Sequence, residues 1–117
     1  MPKYVLLIFV PAEGGPPPET RDLKPWYEYT QAMLDAGAHV ASNALEMTDT
    51  ATTVRVRDGE RVVSDGPFAE TKEVLGGYYV VDVPGLDDGL DWAERIPSAP
   101  YGSVEVRPVM ELPEAPA

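Results

Sequence analysis

The stretch that decides the fold is Lys3-Tyr4-Val5-Leu6-Leu7-Ile8-Phe9-Val10. In an extended strand, successive side chains point to opposite faces of the sheet. After the first lysine, the side chains on both faces of this strand are apolar. Such a run is typical of a central strand that is covered on both faces. The run therefore predicts a strand at the centre of a sheet, and each of its faces requires a covering layer.

The segment after this strand predicts a loop and then a helix. Residues 11–18 are rich in Gly and Pro, which favours a surface loop. A helix is predicted from Leu23 to Ala36, because Pro25 is tolerated only in a first turn and Gly37 is a natural helix end. The apolar residues at helical spacing, which predict the buried side of this helix, are Trp26, Tyr29, Met33 and Ala36.

The rest of the chain alternates strand and turn signals and contains one more helix. Alternating or β-branched residues predict strands at His39–Ser42, Thr52–Arg57, Arg61–Ser64, Tyr78–Val83 and Ser103–Arg107. Asp58-Gly59 predicts a tight hairpin turn between the second and third of these strands. The second helix is predicted from Leu86 to Ile96, with its buried stripe formed by Leu86, Leu90, Ala93 and Ile96.

This order of elements predicts an α+β fold of the ferredoxin-like type, with an inserted β-hairpin. Two helices cover only one face of a four-stranded sheet, so the second apolar face of the first strand needs another cover. In a short chain, a second copy of the same sheet is the simplest cover, and we therefore expect a homodimer with self-complementary sheet faces. We expect one domain over residues 1–110 and a frayed tail over residues 111–117.

Composition excludes several classes of protein. The chain has 117 residues and no cysteine, so disulfides and thiol chemistry are excluded. A net charge of -11 disfavours binding to nucleic acid or to anionic membranes. No apolar run approaches the ~20 residues of a membrane span, and no signal peptide is recognisable. We therefore expect a cytoplasmic protein.

The stretch Asp65-Gly66-Pro67-Phe68-Ala69-Glu70-Thr71-Lys72-Glu73 is too polar for a core strand. We predict a turn that Asp65 caps with its side chain, that the Gly-Pro step restricts and that Phe68 fixes in the core. Residues 70–73 are predicted to form one helical turn. A turn with solvated charges and a carboxylate site both remain open interpretations of this stretch.

The candidate site residues come from this stretch and from one histidine. Asp65 is a candidate catalytic carboxylate, with Glu70, Lys72 and Glu73 as candidate ligand-binding residues beside it. His39 is the single histidine of the chain, and an imidazole suits acid–base chemistry near neutral pH. A structural role for His39 at the end of the first helix is the alternative. The sequence contains no metal-binding or dinucleotide-binding motif, so no cofactor is expected.

Three further segments accompany the stretch 65–73, namely Gly76-Gly77-Tyr78-Tyr79 and the flanks Thr50–Arg55 and Gly102–Pro108. Together these segments resemble the DGPF-motif branch of the YCII-related family. The resemblance extends from Lys3 to Glu111. It implies a ferredoxin-like fold of the dimeric α/β-barrel kind. It also implies enzymatic activity through a histidine–aspartate pair in a cleft, and, for the DGPF branch, a connection with extracytoplasmic-function sigma factors.

Three functions follow as hypotheses. The first is a small-molecule enzyme that uses acid–base chemistry in a cleft near Asp65, with His39 as a second group. The second is a non-catalytic module that binds or senses a small ligand. The third is an interaction partner of a transcription factor such as a sigma factor.

Overall fold

The computed structural model describes residues 2–13 and 21–116. Part of the predicted Pro-rich loop, residues 14–18, lies outside the described residues. In chain order the strands and helices are β1 (Lys3–Pro11), α1 (Lys24–Asp35), β2 (His39–Ala44), β3 (Thr52–Arg57), β4 (Glu60–Asp65), β5 (Glu73–Asp82), α2 (Leu86–Glu94) and β6 (Ser103–Pro108), with a short 3-10 helix at Thr48–Thr50.

Four strands form one antiparallel sheet in the order β2-β5-β1-β6, and β3 and β4 form a separate hairpin. Helix α1 connects β1 to β2, and α2 connects β5 to β6. The predicted α+β architecture with two helices and an inserted hairpin is confirmed, and its strand order is consistent with a ferredoxin-like fold. The apolar run at the N-terminus is a central strand, as predicted.

The hydrophobic core lies between the helices and one face of the sheet. From β1, Leu6 and Ile8 point into this layer, and from α1 the side chains of Tyr29 and Met33 pack against them. Leu6 and Met33 are fully buried, with 0% of their surface exposed. The helix ends at Asp35, one residue before the predicted Ala36, which is its exposed cap, and Gly37 follows with φ 71° as a helix-ending glycine.

Within the described residues, no helix or strand layer covers the opposite face of the sheet. Val5, Leu7 and Phe9 of β1 point to this face and are only half-buried. The described part of the chain measures 51 × 47 × 19 Å, with a radius of gyration of 16.7 Å. A compact domain of this length has a radius of gyration of about 13 Å. The molecule is therefore a flat slab, and one broad side of it is this open sheet face.

The β3–β4 hairpin has the predicted turn. Asp58 and Gly59 adopt φ values of 52° and 76°, as a two-residue turn between twisted strands requires. The hairpin strands pair from Thr52 with Asp65 to Arg57 with Glu60. Both strands pack chiefly on each other rather than on the main sheet.

The predicted buried stripe of α2 is partly wrong. Leu86 and Leu90 are 48% and 46% exposed, whereas Gly89, Ala93 and Ile96 are buried. Gly89, rather than either leucine, faces the sheet, and its Cβ position lies 3.7 Å from the Tyr4 ring. The helix therefore packs on the sheet through Gly89 and Ala93, and the two leucines point outward.

The N-terminal boundary of β5 also differs from the prediction. The strand begins at Glu73, so Gly76 and Gly77 lie inside it rather than before it. Gly77 is needed because a Cβ there would lie 2.9 Å from the Asn43 carbonyl oxygen of β2. No helix within residues 2–13 and 21–116 is long and apolar enough to span a bilayer.

Candidate functional site

The DGPF turn, residues 65–68, follows β4 and is held by its backbone. The Gly66 N–H donates to the Ala51 carbonyl at 2.7 Å, and the Thr53 hydroxyl donates to the Gly66 carbonyl at 2.8 Å. The Arg55 guanidinium donates to the Phe68 carbonyl at 3.2 Å. Gly66 adopts φ 94°, which only glycine accepts readily. These contacts give the turn a defined conformation.

Two predictions for this turn are wrong. Phe68 is 78% exposed, so its ring does not pack in the core. The hairpin that precedes it packs chiefly on itself, and the buried core of the described residues lies elsewhere. The carboxylate of Asp65 is exposed and makes no hydrogen bond to any described residue, so it is not the cap of the turn. The neighbouring Ala51, Thr53 and Arg55 hold the turn instead.

The described residues between the turn and β5 form no helix, so the predicted helical turn at 70–73 is wrong. The Ala12 N–H donates to the Lys72 carbonyl at 2.8 Å, and the Thr71 hydroxyl donates to the Glu73 carbonyl. A Glu73 carboxylate oxygen accepts the Ser103 hydroxyl at 3.2 Å. Glu70 and Glu73 therefore do not share one side of a helix. Among the described residues no three His, Asp or Glu side chains converge in a way that could hold a metal ion.

His39 lies at the opposite end of the sheet from the start of β5. It pairs with Val81, eight residues along β5 from Glu73. At about 3.3 Å per residue, this separation is roughly 26 Å. Within the described residues, no hydrogen bond or ion pair joins His39 to Asp65, Glu70 or Lys72.

The surroundings of His39 form a second candidate site. Its Nε2 lies 2.9 Å from the Ser42 hydroxyl, and its ring meets the Tyr79 ring edge-on at 6.2 Å. The Tyr79 hydroxyl lies 2.6 Å from the Thr30 hydroxyl of α1. His39, Ser42 and Thr30 are half-buried, whereas Tyr79 is buried. We name these four residues the His39 cluster, which lies between α1 and the edge strand β2.

An irregularity in strand pairing creates the His39 cluster. Residues three apart in a regular strand point to opposite faces. The pairing of β2 with β5 shifts register between His39 and Ala41, so that His39 is opposite Val81 and Ser42 is opposite Tyr79. The shift places His39 and Ser42 on the same side of the sheet. The sequence contains no signal for this shift, which is why Ser42, Thr30 and Tyr79 were not predicted as site residues.

The floor of the His39 cluster is aromatic and rigid. The Tyr29 ring meets Tyr79 edge-on at 5.2 Å and Trp92 at 5.9 Å. The Tyr29 hydroxyl donates to the Trp92 carbonyl at 2.7 Å. Burial raises the pKa of the Tyr29 phenol well above its ordinary value, with a further increase from Tyr79 that Arg95 partly opposes. Tyr29 is therefore a neutral hydrogen-bond donor that supports Tyr79.

A third feature is a groove of about 420 Å³ between the start of β1 and the segment after β6. Its lining residues are Lys3, Val109, Met110, Glu111 and Leu112. None of the predicted site residues lies in this groove.

Comparison with known proteins identifies the family. The YCII-related domain matches residues 5–113, which is nearly the whole chain. The chain belongs to the YCII-related family. A protein of Rhizobium meliloti (strain 1021), described only as uncharacterized, is 50% identical over 78 residues. The matched region covers 65% of this YCII-related chain and 63% of the relative. The chain thus spans less than two thirds of that relative's length.

Proposed function

We propose that this YCII-related protein binds a small polar molecule at the His39 cluster and that His39 exchanges a proton with it. The observation that supports this proposal most directly is the 2.9 Å contact between His39 Nε2 and the Ser42 hydroxyl on an edge strand. An imidazole is both a donor and an acceptor near neutral pH, and a neighbouring hydroxyl orients its ring. The pair is therefore suited to acid–base chemistry on a bound molecule.

The surroundings of the pair define the class of ligand. Thr30 and Tyr79 add two hydroxyls on the same side of the sheet, and Tyr79 adds an aromatic ring. Half-buried donors beside an aromatic floor favour a small molecule with polar substituents on an apolar or aromatic body. Because β2 is an edge strand, the ligand would enter between α1 and the open edge of the sheet.

A second candidate function is non-catalytic ligand binding at the DGPF turn. The backbone contacts of Gly66 and Phe68 favour it, because they present the Asp65 carboxylate and an exposed ring in a defined geometry. We assign Asp65, Glu70, Lys72 and Glu73 to this second site, and we infer from the motif that the chain belongs to the DGPF branch. In this reading Asp65 contributes charge to binding and takes no part in turnover.

NMR separates the two candidates. His39 is the single histidine, so its imidazole signals are assigned without ambiguity. We would titrate the wild-type protein with a collection of carboxylic acids, phenols and nucleosides. The first proposal predicts that binding compounds shift the His39 signals. It also predicts that His39→Gln and Ser42→Ala weaken binding, whereas Asp65→Asn does not.

Two other outcomes decide against the first proposal. Compounds that shift the signals of residues 65–73 and leave the His39 signals unchanged would support the second candidate instead. The first proposal also predicts that, if the protein chemically converts a bound compound, His39→Gln lowers the turnover rate about 100-fold or more. Conversion at the wild-type rate by His39→Gln would exclude proton transfer by the imidazole.

We also propose that the protein functions as a homodimer whose open sheet faces pack together. The half-buried Val5, Leu7 and Phe9, on the sheet face that no described element covers, support this proposal. A face-to-face contact would bury these apolar side chains and provide the missing layer of the slab.

A further inference from the structure

Strand β6 lies at one edge of the sheet, and its outer backbone groups are unpaired. Among the described strands it pairs only with β1. The Val109 N–H donates to the Lys3 carbonyl at 2.9 Å, so in an antiparallel ladder every second residue before Val109 also directs its backbone groups to β1. The backbone N–H and C=O groups of Val104 and Val106 therefore point away from the sheet, and no described residue bonds to them.

The sequence of β6 is self-complementary when the strand pairs with a copy of itself. Antiparallel pairing centred on Val106 places Glu105 directly opposite Arg107 of the second copy, and Arg107 opposite its Glu105. Pairing centred on Glu105 or on Arg107 would instead place two like charges opposite each other, which destabilises a sheet. Ser103, the remaining side chain of β6 on this face, is uncharged. Charge therefore selects both a second copy as the occupant and one register.

The same register satisfies the outer backbone groups. Val106 exchanges hydrogen bonds with Val106 of the second copy, and the Val104 N–H reaches the Pro108 carbonyl of the second copy. Pro108 has no N–H to donate, and an outward-facing position on an edge strand is where a sheet tolerates proline. On the core side, the half-buried Val106 then meets its own copy, and β-branched pairs of this kind stabilise a sheet.

Helix α2 lies above the strands at this edge. The Cβ position of Gly89 is 3.7 Å from the side chains of Tyr4 in β1 and Val106 in β6. Neighbouring strands are about 4.8 Å apart, so pairing of two β6 strands would place the two α2 helices about 10 Å apart. Packed helices are separated by about 8–10 Å. Pairing at this edge therefore brings α2 against α2 of the second copy.

The side of α2 that would meet the second helix is apolar. Trp92 contacts the Tyr29 ring of α1 and thus marks the side of α2 that faces α1. At 3.6 residues per turn, Leu86 and Leu90 lie on the other side of the helix, toward the outer edge of β6. Both leucines are exposed within the described residues, and α2 of the second copy would cover them.

We propose that β6 pairs antiparallel with β6 of a second copy of this chain, in the register centred on Val106, and that the two α2 helices pack over the join. The contact merges two four-stranded sheets into one continuous sheet with all helices on one side. It leaves the open sheet face free, so it would link sheet-to-sheet dimers into larger assemblies. A contact along one strand and one helix is small, and we therefore expect it above the micromolar concentration range.

Disulfide trapping tests the register, because the natural chain has no cysteine. Glu105→Cys and Arg107→Cys, at exposed positions, would be prepared as separate full-length variants, mixed at submillimolar concentration and oxidised. We expect a covalent dimer to form about tenfold faster in the mixture than with either variant alone. The reason is that only the mixed pair places two cysteines opposite each other and keeps one cross-strand ion pair.

Leu90→Arg tests the helix contact and separates it from sheet-to-sheet packing. Helix α2 lies on the core side of the sheet, so this change does not touch the open face. Added to both trapping variants, it should slow trapping about tenfold, because two arginines would meet at the join. Leu34→Arg is the matched control, since Leu34 is 50% exposed on α1, and it should leave the rate unchanged.

Several results would overturn the proposal. Faster trapping with either single variant than with the mixture would identify a different register, and equal rates would indicate random collision. A rate that Leu90→Arg does not lower would assign the trapped contact to sheet-to-sheet packing. No trapping in any sample, with circular dichroism showing folded variants, would mean that β6 stays unpaired in solution.

Discussion

Single residues decide how the aromatic layer beneath the His39 cluster is held. Tyr29 is buried, contacts two aromatic rings and donates to the Trp92 carbonyl. Phe68, by contrast, belongs to the most distinctive motif in the sequence and contributes nothing to the core. The two aromatic residues therefore differ in what their substitution should do to stability.

Tyr29 should make stability depend on alkaline pH. Its folded-state pKa is raised, mainly because burial disfavours the phenolate. The stabilisation is fully present below the unfolded pKa of ~10 and is lost as pH rises through the higher folded-state pKa. We expect urea unfolding to show a decline in the free energy of unfolding above pH 10 that is smaller in Tyr29→Phe.

The exposed Tyr27 provides the control for this measurement. Tyr27→Phe should retain the full alkaline decline of the wild type. At pH 7, Tyr29→Phe should cost about 1 kcal/mol through the lost hydrogen bond to Trp92. Identical pH profiles for Tyr29→Phe and the wild type would contradict the role of burial.

Phe68→Ala should have almost no effect on the stability of the chain. A ring that is 78% exposed loses little buried surface on truncation, so the free energy of unfolding should change by less than about 0.5 kcal/mol. Met33→Ala, at a fully buried position, should cost about 2–5 kcal/mol in the same denaturation series. A loss of about 3 kcal/mol in Phe68→Ala would show that the ring is buried in solution.

At the scale of elements, β5 joins the edge strand β2 to the rest of the sheet. At Gly77 the Asn43 carbonyl oxygen of β2 occupies the space that a side chain would need. The adjacent amide of Leu45 donates to the Gly76 carbonyl at 2.9 Å. The attachment of β2, and with it the His39 cluster, therefore depends on glycine at this position.

Gly77→Ala should destabilise this attachment. A Cβ 2.9 Å from a backbone oxygen forces the strands apart, at a cost of about 1–3 kcal/mol. Hydrogen exchange should accelerate at Leu45 more than in β1. Gly85→Ala is the matched control, because no atom lies within 4 Å of its Cβ position and its backbone is extended. Unchanged exchange at Leu45 in Gly77→Ala would show that β2 tolerates the side chain.

At the scale of the whole molecule, two apolar surfaces of the slab are left uncovered by the described residues. One is the open sheet face with Val5 and Leu7, and the other comprises the hairpin and the outer side of α2. Exposed apolar side chains of this kind are candidates for contact with another molecule. Assembly is therefore the property that most needs measurement.

Leu7→Asp should abolish the proposed sheet-to-sheet homodimer. It places a charge at the centre of the open face, where dimer formation would bury it without a partner. Sedimentation equilibrium at micromolar concentration should give about twice the 12.7 kDa chain mass for the wild type and a lower mass for Leu7→Asp. Tyr27→Asp, on the outer surface of α1, should leave the mass unchanged. A wild-type mass of 12.7 kDa would exclude the homodimer.

The local patterns of the sequence determined the elements and their order. The doubly apolar run from Lys3 to Val10 specified a central strand, Pro25 and Gly37 bounded α1, and Asp58-Gly59 specified the hairpin turn. These features are readable because helix period, strand period and turn conformation depend on residues close together in the chain. The homodimer inferred from the same run stays a prediction.

Tertiary structure alone decided which side chains meet. In α2 it is Gly89, beside Tyr4 of the sequence-distant β1, and not Leu90 that faces the sheet. The side-by-side placement of His39 and Ser42 depends on a register shift between two strands. Register and rotation are set by contacts between elements, and a pattern within one element carries no information about them.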